Sequence, residues 1–295
     1  MSILFVINTM EINSTTTQES KFLKGIDTIA KAPRKLYFTG VLPTHIIPTV
    51  AIVGTRKPTT YGVEIAHAFA YTLASRGIAI ISGLALGIDA IAHRAALEAN
   101  GRTIAVLANG LDRIYPRSHT QLGRRIVAQG GAIISEYPAS TPPYPSQFLA
   151  RNRIISGLSQ AIVIIEAAAR SGTLNTATHA LEQGKEVFVV PGNITSPMSQ
   201  GCNKLIKQGA HPATCVEDIL EVIAPQPTKI QPIQQKLGDT AEEEKILALL
   251  RAGIRQGDEL HKKSGLAISE FSQTLTLLEI KGSIRALGAH QWMLK

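Results

Sequence analysis

Several short stretches of this chain combine small residues, hydroxyls and fixed cations in a way that could hold a negatively charged oxygen. The first is Gly54-Thr55-Arg56-Lys57, followed by Tyr61-Gly62. A glycine lets the backbone come close to a ligand, a helix N-terminus offers N–H groups, and an arginine fork grips two phosphate oxygens at once. The same residues could equally make a tight turn with Arg56 and Lys57 simply solvated. The second stretch is Ser82-Gly83-Leu84-Ala85-Leu86-Gly87-Ile88-Asp89, where Ser82 and the neighbouring amides, Gly83 among them, can donate hydrogen bonds. Asp89 and His93 stand one helical turn apart, but no third group orients them. A helix-capping Asp and a packed His is therefore the preferred reading over an acid–base pair.

The third stretch, Phe148-Leu149-Ala150-Arg151-Asn152-Arg153, sets an aromatic ahead of two arginines that flank an asparagine. That composition suits stacking on a base and clamping a polynucleotide backbone. The alternative is that Arg151 and Arg153 pair internally with Glu136 or Glu166. The fourth, Ser171-Gly172-Thr173-Leu174-Asn175-Thr176, opens a helix with hydroxyls that either face an anion or cap the helix. Lys204 and Lys207 add charge further on, and Gly110-Leu111-Asp112-Arg113 with Tyr115-Pro116 marks one more loop by position.

These stretches need elements to hold them. From Thr49 onward, short apolar runs bounded by glycine alternate with helical patterns, the rhythm of β-α units and a parallel sheet. Strands are expected at 50–54, 78–82, 103–108, 132–135, 161–166 and 186–190, and helices at 63–76, 88–100, 119–129, 151–158 and 173–183. The expected fold class is α/β, a Rossmann-like doubly wound and mostly parallel sheet. Ligands then bind beyond the carboxyl ends of the strands, and the loops above all follow strands.

Residues 1–45 read as a short, loosely ordered N-terminal extension, 46–224 as the Rossmann-like domain and 225–240 as a Pro/Gln-rich linker. In 241–295, helices are expected at 242–251 and 258–263, then one striped by Ile268, Phe271, Leu275 and Leu278. A hairpin around Gly288 would complete a winged helix. Its third helix should turn Glu270, Gln273, Thr274, Thr276 and Glu279 outward, with no cation before Lys281, so protein contact is expected there more than duplex DNA.

The 295 residues carry 30 Lys and Arg against 22 Asp and Glu, a net +8. All of that excess lies in residues 1–236, with 22 basic and 14 acidic side chains against 8 and 8 afterwards. A mild positive field favours polyanions. Aromatic residues are only 5% of the chain, so backbone contact should dominate over base stacking. Two cysteines build no disulfide framework and sit in no zinc spacing, which fits a reducing, cytoplasmic setting. The run Ile3 to Ile7 lacks the flanks of a signal peptide, and no apolar stretch is long enough to cross a bilayer, so no membrane association is expected. No dinucleotide fingerprint, Walker loop, nucleophile elbow or metal-ligand cluster is present, so no cofactor is expected.

Taken together, several of these motifs resemble the DNA-processing protein A (DprA/Smf) family. They are Ala51 to Arg56, Tyr61-Gly62, Ser82 to Asp89 with Ala92-His93, and Thr103 to Leu107 with Gly110-Leu111-Asp112 and Tyr115-Pro116. Ser135-Glu136, Phe148 with Arg151-Asn152-Arg153, Glu166 with Ser171-Gly172-Thr173, and Val190-Pro191-Gly192 with Gly201 complete the set, in order over residues 36–223. The resemblance implies a non-enzymatic, homodimeric protein that binds and protects single-stranded DNA and helps load RecA recombinase during natural transformation (competence). It would make Arg56 a phosphate contact with Ser82 and Gly83 beside it, and set Phe148, Arg151 and Arg153 along the strand's path. Leu86 stands where the family usually has a basic residue, Leu149 where a proline is frequent, and the usual N-terminal helical domain is reduced to about 45 residues. The C-terminal region resembles the winged helix of many members. The competing reading is a nucleotide-processing enzyme of a related fold, whose Gly-Gly-x-Gly-Thr-x-x-Glu loop carries a glutamate where this chain has Thr176.

Overall fold

In a computed structural model, which describes residues 11–223 and 240–294, alternate residues of each central strand enter different cores. Val50 and Ile52 of β3 (Thr49–Val53) pack with one helical layer, while Ala51 and Val53 pack with the other. A strand buried on both faces needs apolar residues at every position, and β3 has every residue buried. The run Ile3–Ile7 and the proposed linker, except Thr240, lie outside the described residues.

Among the described residues of the first unit, nine strands form one sheet in the order β1-β2-β6-β5-β4-β3-β7-β8-β9. The parallel members are β3, β4 (Ala79–Ser82), β5 (Thr103–Leu107), β6 (Ala132–Ser135), β7 (Ala161–Ile164), β8 (Glu186–Val189) and β9 (His211–Pro212). The chain winds outward from β3 to β6, returns to the other side of β3 with β7, and continues to β9. The reversal falls between β3 and β7, which is where a doubly wound sheet opens a crevice. The helices are α1 (Thr60–Ser75), α2 (Ile88–Glu98), α3 (Thr120–Ala128), α4 (Pro145–Gly157), α5 (Thr173–Glu182), α6 (Gln200–Lys207) and α7 (Glu217–Ile223). The doubly wound architecture is as the sequence indicates.

The N-terminal stretch corrects the expectation of a loose extension. Strands β1 (Asn13–Thr15) and β2 (Leu36–Gly40) form an antiparallel edge, with β2 paired to β6. Between them one short helical turn, Lys21–Ile26, drives Phe22, Leu23 and Ile26 into the core against α4. The bare backbone of Gly157 is what lets Ile26 and Ile29 approach. Helix α4 also starts earlier than the apolar pattern indicates. Pro145 supplies a first-turn residue that needs no N–H partner, and the Gln147 side chain accepts from the Tyr144 N–H at 2.9 Å, which puts Phe148 on the helix and not ahead of it.

The second unit contains α8 (Ala241–Arg251), α9 (Gly257–Ser264), α10 (Ile268–Ile280) and the hairpin β10 (Ile284–Gly288) with β11 (Gln291–Leu294). Ile246, Leu250, Leu260, Phe271, Leu275 and Leu278 share its core. Thr274 does not face outward as expected. It is buried, and its hydroxyl donates to the Glu270 carbonyl at 2.7 Å, a bond that satisfies a short polar side chain inside a helix.

Candidate functional site

At the reversal of strand order lies a cleft of about 570 Å³. Its walls are Gly54, Thr55, Arg56 and Lys57 after β3, Ala85 ahead of α2 and Asp89 in its first turn, Phe148, Leu149, Arg151 and Asn152 of α4, and Ser171, Gly172 and Thr173 opening α5. Loops distant in sequence thus meet at one sheet edge. Hydrogen bonds tie them together: Thr55 N–H donates to the Glu166 carbonyl at 2.8 Å, Ile88 N–H to the Thr55 carbonyl at 3.2 Å, and the Thr173 hydroxyl to the Gly54 carbonyl at 3.0 Å. Gly87 sits at φ 77° against the Thr55 carbonyl and Arg56, leaving no room for a side chain. The turn that carries Arg56 is therefore held from both sides.

Arg56 and Lys57 are exposed cations on that turn. The Arg56 guanidinium lies over the Phe148 ring, 5.5 Å from its centroid, which leaves its N–H edges to solvent-side partners. Gly172 is exposed, and only the tip of Leu149 approaches the place a side chain there would fill. The cleft therefore offers fixed positive charge, aromatic surface and an accessible backbone at a helix start.

The structure places other expected contacts elsewhere. The N-terminus of α1 is closed by the protein's own carboxylate: Glu166, buried, accepts from Thr59 N–H at 2.9 Å and from its hydroxyl at 2.5 Å. The Gly-rich turn is closed likewise, because Asp89 accepts from Gly83 N–H at 3.1 Å. Asp89 thus belongs to the first turn of α2 and seals the preceding loop, which modifies the capping role expected for it. Ser82 donates to the Ile52 carbonyl at 2.7 Å and braces the sheet without reaching the cleft. Tyr61 donates to the Pro191 carbonyl at 2.9 Å and does the same for the loop after β8.

Both arginines of α4 are buried. Arg151 donates to the carbonyls of Gly83, at 2.9 Å, and of Val106, beneath the cleft. Burial pulls its pKa down to about 10, with Asp89 opposing the shift and Arg56 adding to it, so it stays charged at neutral pH. Burial also raises Asp89 above the usual carboxylate range, with Arg151 opposing. Arg153 points away from the cleft into an ion pair with Glu136, beside a separate cavity of about 210 Å³ that Gly25, Thr28 and Lys185 also line. Arg153 therefore lies off the expected ligand path, whereas Arg151 does line the cleft, with its donors turned to internal carbonyls. A guanidinium on the inward side of a helix needs an internal partner, and the sequence placed Glu136 and Gly83 within reach. Asn152 does line the cleft and donates to Asn175 Oδ1 at 3.3 Å. Lys204 and Lys207 are exposed on α6 and do not line it.

His93 packs as the sequence indicates. The Thr103 hydroxyl gives its hydrogen to the Ile80 carbonyl at 2.8 Å, so His93 Nδ1, 2.7 Å away, must be the donor to it. Cys202 is a buried thiol pushed up to about 12, which makes it unreactive. Sequence reasoning missed Met198, which lines the cleft together with Leu149, because a methionine carries no chemical signature.

The family model of DNA recombination-mediator protein A matches residues 13–224, and that of the DprA winged helix domain matches 230–290. Protein Smf of Escherichia coli K12 is 43% identical over 264 residues, 86% of this chain and 70% of its own length. DNA processing protein DprA of Bacillus subtilis 168 is 45% identical over 172 residues, 58% of each chain. Among solved structures, DNA processing protein A from Streptococcus pneumoniae superposes with TM-score 0.65 and 34% identity, covering 73% of this chain and 75% of that one. The Helicobacter pylori protein, described for its single-stranded DNA binding mode, gives TM-score 0.64 and 32% identity over 72% of this chain and 95% of that one. With a family model matched along most of the sheet unit and a second along the winged unit, this chain belongs to the DNA recombination-mediator protein A family.

Proposed function

We propose that this protein binds single-stranded DNA without sequence preference, as a homodimer, and hands it to RecA recombinase in recombination and natural transformation. The observation that carries the reading is the pairing of exposed Arg56 with Phe148, with exposed Lys57 next in the chain, all three lining the cleft. Fixed cations take successive phosphates, and the Phe148 ring beneath the Arg56 guanidinium holds that fork in place for them. The likeness to a Helicobacter pylori relative described by its single-stranded DNA binding supports the same ligand. Binding is through backbone and surface groups, with no chemistry on the strand. The position where related nucleotide-cleaving loops hold a glutamate is Thr176, which is buried and cannot titrate.

A salt titration of binding to single and double strands, with and without residues 225–295, tests the reading. Steep salt dependence, preference for single strands and retention of both without the C-terminal unit are expected. Equal affinity for duplex, or release of free base from a nucleotide panel, would overturn it. RecA filament growth on strands pre-covered by this protein tests the handover.

A further inference from the structure

The loop after β5 lies outside the walls of the cleft, yet it brings a second aromatic ring to the same place. Tyr115 stands 5.6 Å from Phe148, centroid to centroid, with the rings tilted by 57°. Phe148 is half-buried and already has the Arg56 guanidinium over its ring, so little of its surface is left for a base. Tyr115 is 44% exposed. Open aromatic surface at this end of the cleft therefore belongs to Tyr115.

The loop that presents Tyr115 is fastened. Ile114 and His119 on either side are buried, and the His119 ring bonds the Leu84 carbonyl through Nδ1 at 2.8 Å. Asn109 donates to the Arg113 carbonyl at 2.8 Å, and Ser140 N–H donates to Asp112 at 2.7 Å. An exposed ring on a fixed loop loses little conformational freedom when a flat ligand lies on it, which favours binding.

We propose that Tyr115 is the stacking platform for a nucleobase adjacent to the cleft. The strand then runs from the cleft, past the Arg56–Phe148 pair, onto the loop between β5 and α3. This rests on the single-stranded DNA reading and extends its footprint.

The test uses the full chain with labelled oligothymidylates of increasing length, comparing the parent with Tyr115→Ala, Tyr115→Phe and Arg56→Ala. Tyr115→Ala should weaken binding of long strands by about 5- to 150-fold, the range for one base–aromatic stack, and leave the salt slope unchanged. Tyr115→Phe should bind like the parent, and strands too short to leave the cleft should not feel Tyr115→Ala. Irradiating a 5-iodouracil-substituted strand should cross-link it to Tyr115, as read by mass spectrometry. If Tyr115→Ala weakens short and long strands equally, Tyr115 only shapes the cleft by propping Phe148 and the inference fails. If Tyr115→Ala binds like the parent while Arg56→Ala does not, the inference fails and the cleft reading stands. If Arg56→Ala binds like the parent, the cleft reading itself fails.

Discussion

Arg151 lies directly beneath Gly83: its guanidinium donates to the Gly83 carbonyl at 2.9 Å and fills the space where any side chain at position 83 would stand. On its other side the Gly83 N–H is taken by Asp89, so one turn is gripped by a buried cation and a buried anion. The pair supports the cleft from below, and Arg56 on the surface is left to meet a ligand.

Arg151→Gln separates support from contact. Removing the guanidinium leaves the buried Gly83 and Val106 carbonyls without that donor and Asp89 without its nearby positive charge, at about 1–3 kcal/mol, and the turn above should loosen. DNA affinity should fall, but the slope of log affinity against log salt should match the parent's, since no phosphate contact is lost. A slope reduced by about one would show instead that Arg151 reaches a phosphate.

Arg56→Ala should behave in the opposite way. Thermal stability should hold, because the side chain is exposed and pairs with no carboxylate among the described residues, while the salt slope drops by about one. Binding of different strand sequences should weaken uniformly. Fluorescence anisotropy over a salt series reads both quantities.

Arg153 should serve stability through its ion pair with Glu136. Arg153→Met by itself should cost about 3–5 kcal/mol by leaving Glu136 without its partner, whereas joining it to Glu136→Leu should restore most of that loss. DNA affinity should match the parent's in the double variant. Weakened binding there, with stability recovered, would reinstate Arg153 as a DNA contact.

His93 makes the fold acid-sensitive. Burial holds its pKa at about 3 against 6.5 when unfolded, so between those values the unfolded chain binds the extra proton. Its contribution is complete above pH 6.5 and is lost as the pH falls, by about 2 kcal/mol on reaching about pH 5. Asp89, raised by burial, works the other way, favouring the folded state below its own range. Urea unfolding at stepped pH should show a flatter acid limb for His93→Gln than for the parent. Identical limbs would mean that His93 is already solvated.

The winged unit should be dispensable for duplex affinity. Exposed Glu270, Gln273, Thr276 and Glu279 leave α10 without a cation, and Lys281, the first one, pairs with Glu243 at 2.6 Å. Isothermal titration with duplex DNA should give the same affinity for the full chain and for the chain ending at residue 224. A loss on truncation would assign the unit to DNA.

The amino-acid order alone determined the alternation of strands and helices, the Gly-bounded turns, and the gathering of Gly54, Arg56, Phe148, Ser171 and Gly172 at one edge of the sheet. It could do so because right-handed crossovers and a period of two leave few ways to close such a pattern. What it could not decide is where charge points. Whether Arg151 and Arg153 meet a ligand or an internal acceptor depends on which side of α4 faces the sheet, and on Gly83, Val106 and Glu136 arriving there from other strands. The same limit hid Glu166 at the start of α1, and the packing of Phe22, Leu23 and Ile26 under α4. Local pattern sets the elements, but the energy of a buried charge is settled only by the partners that tertiary contact brings within bonding distance.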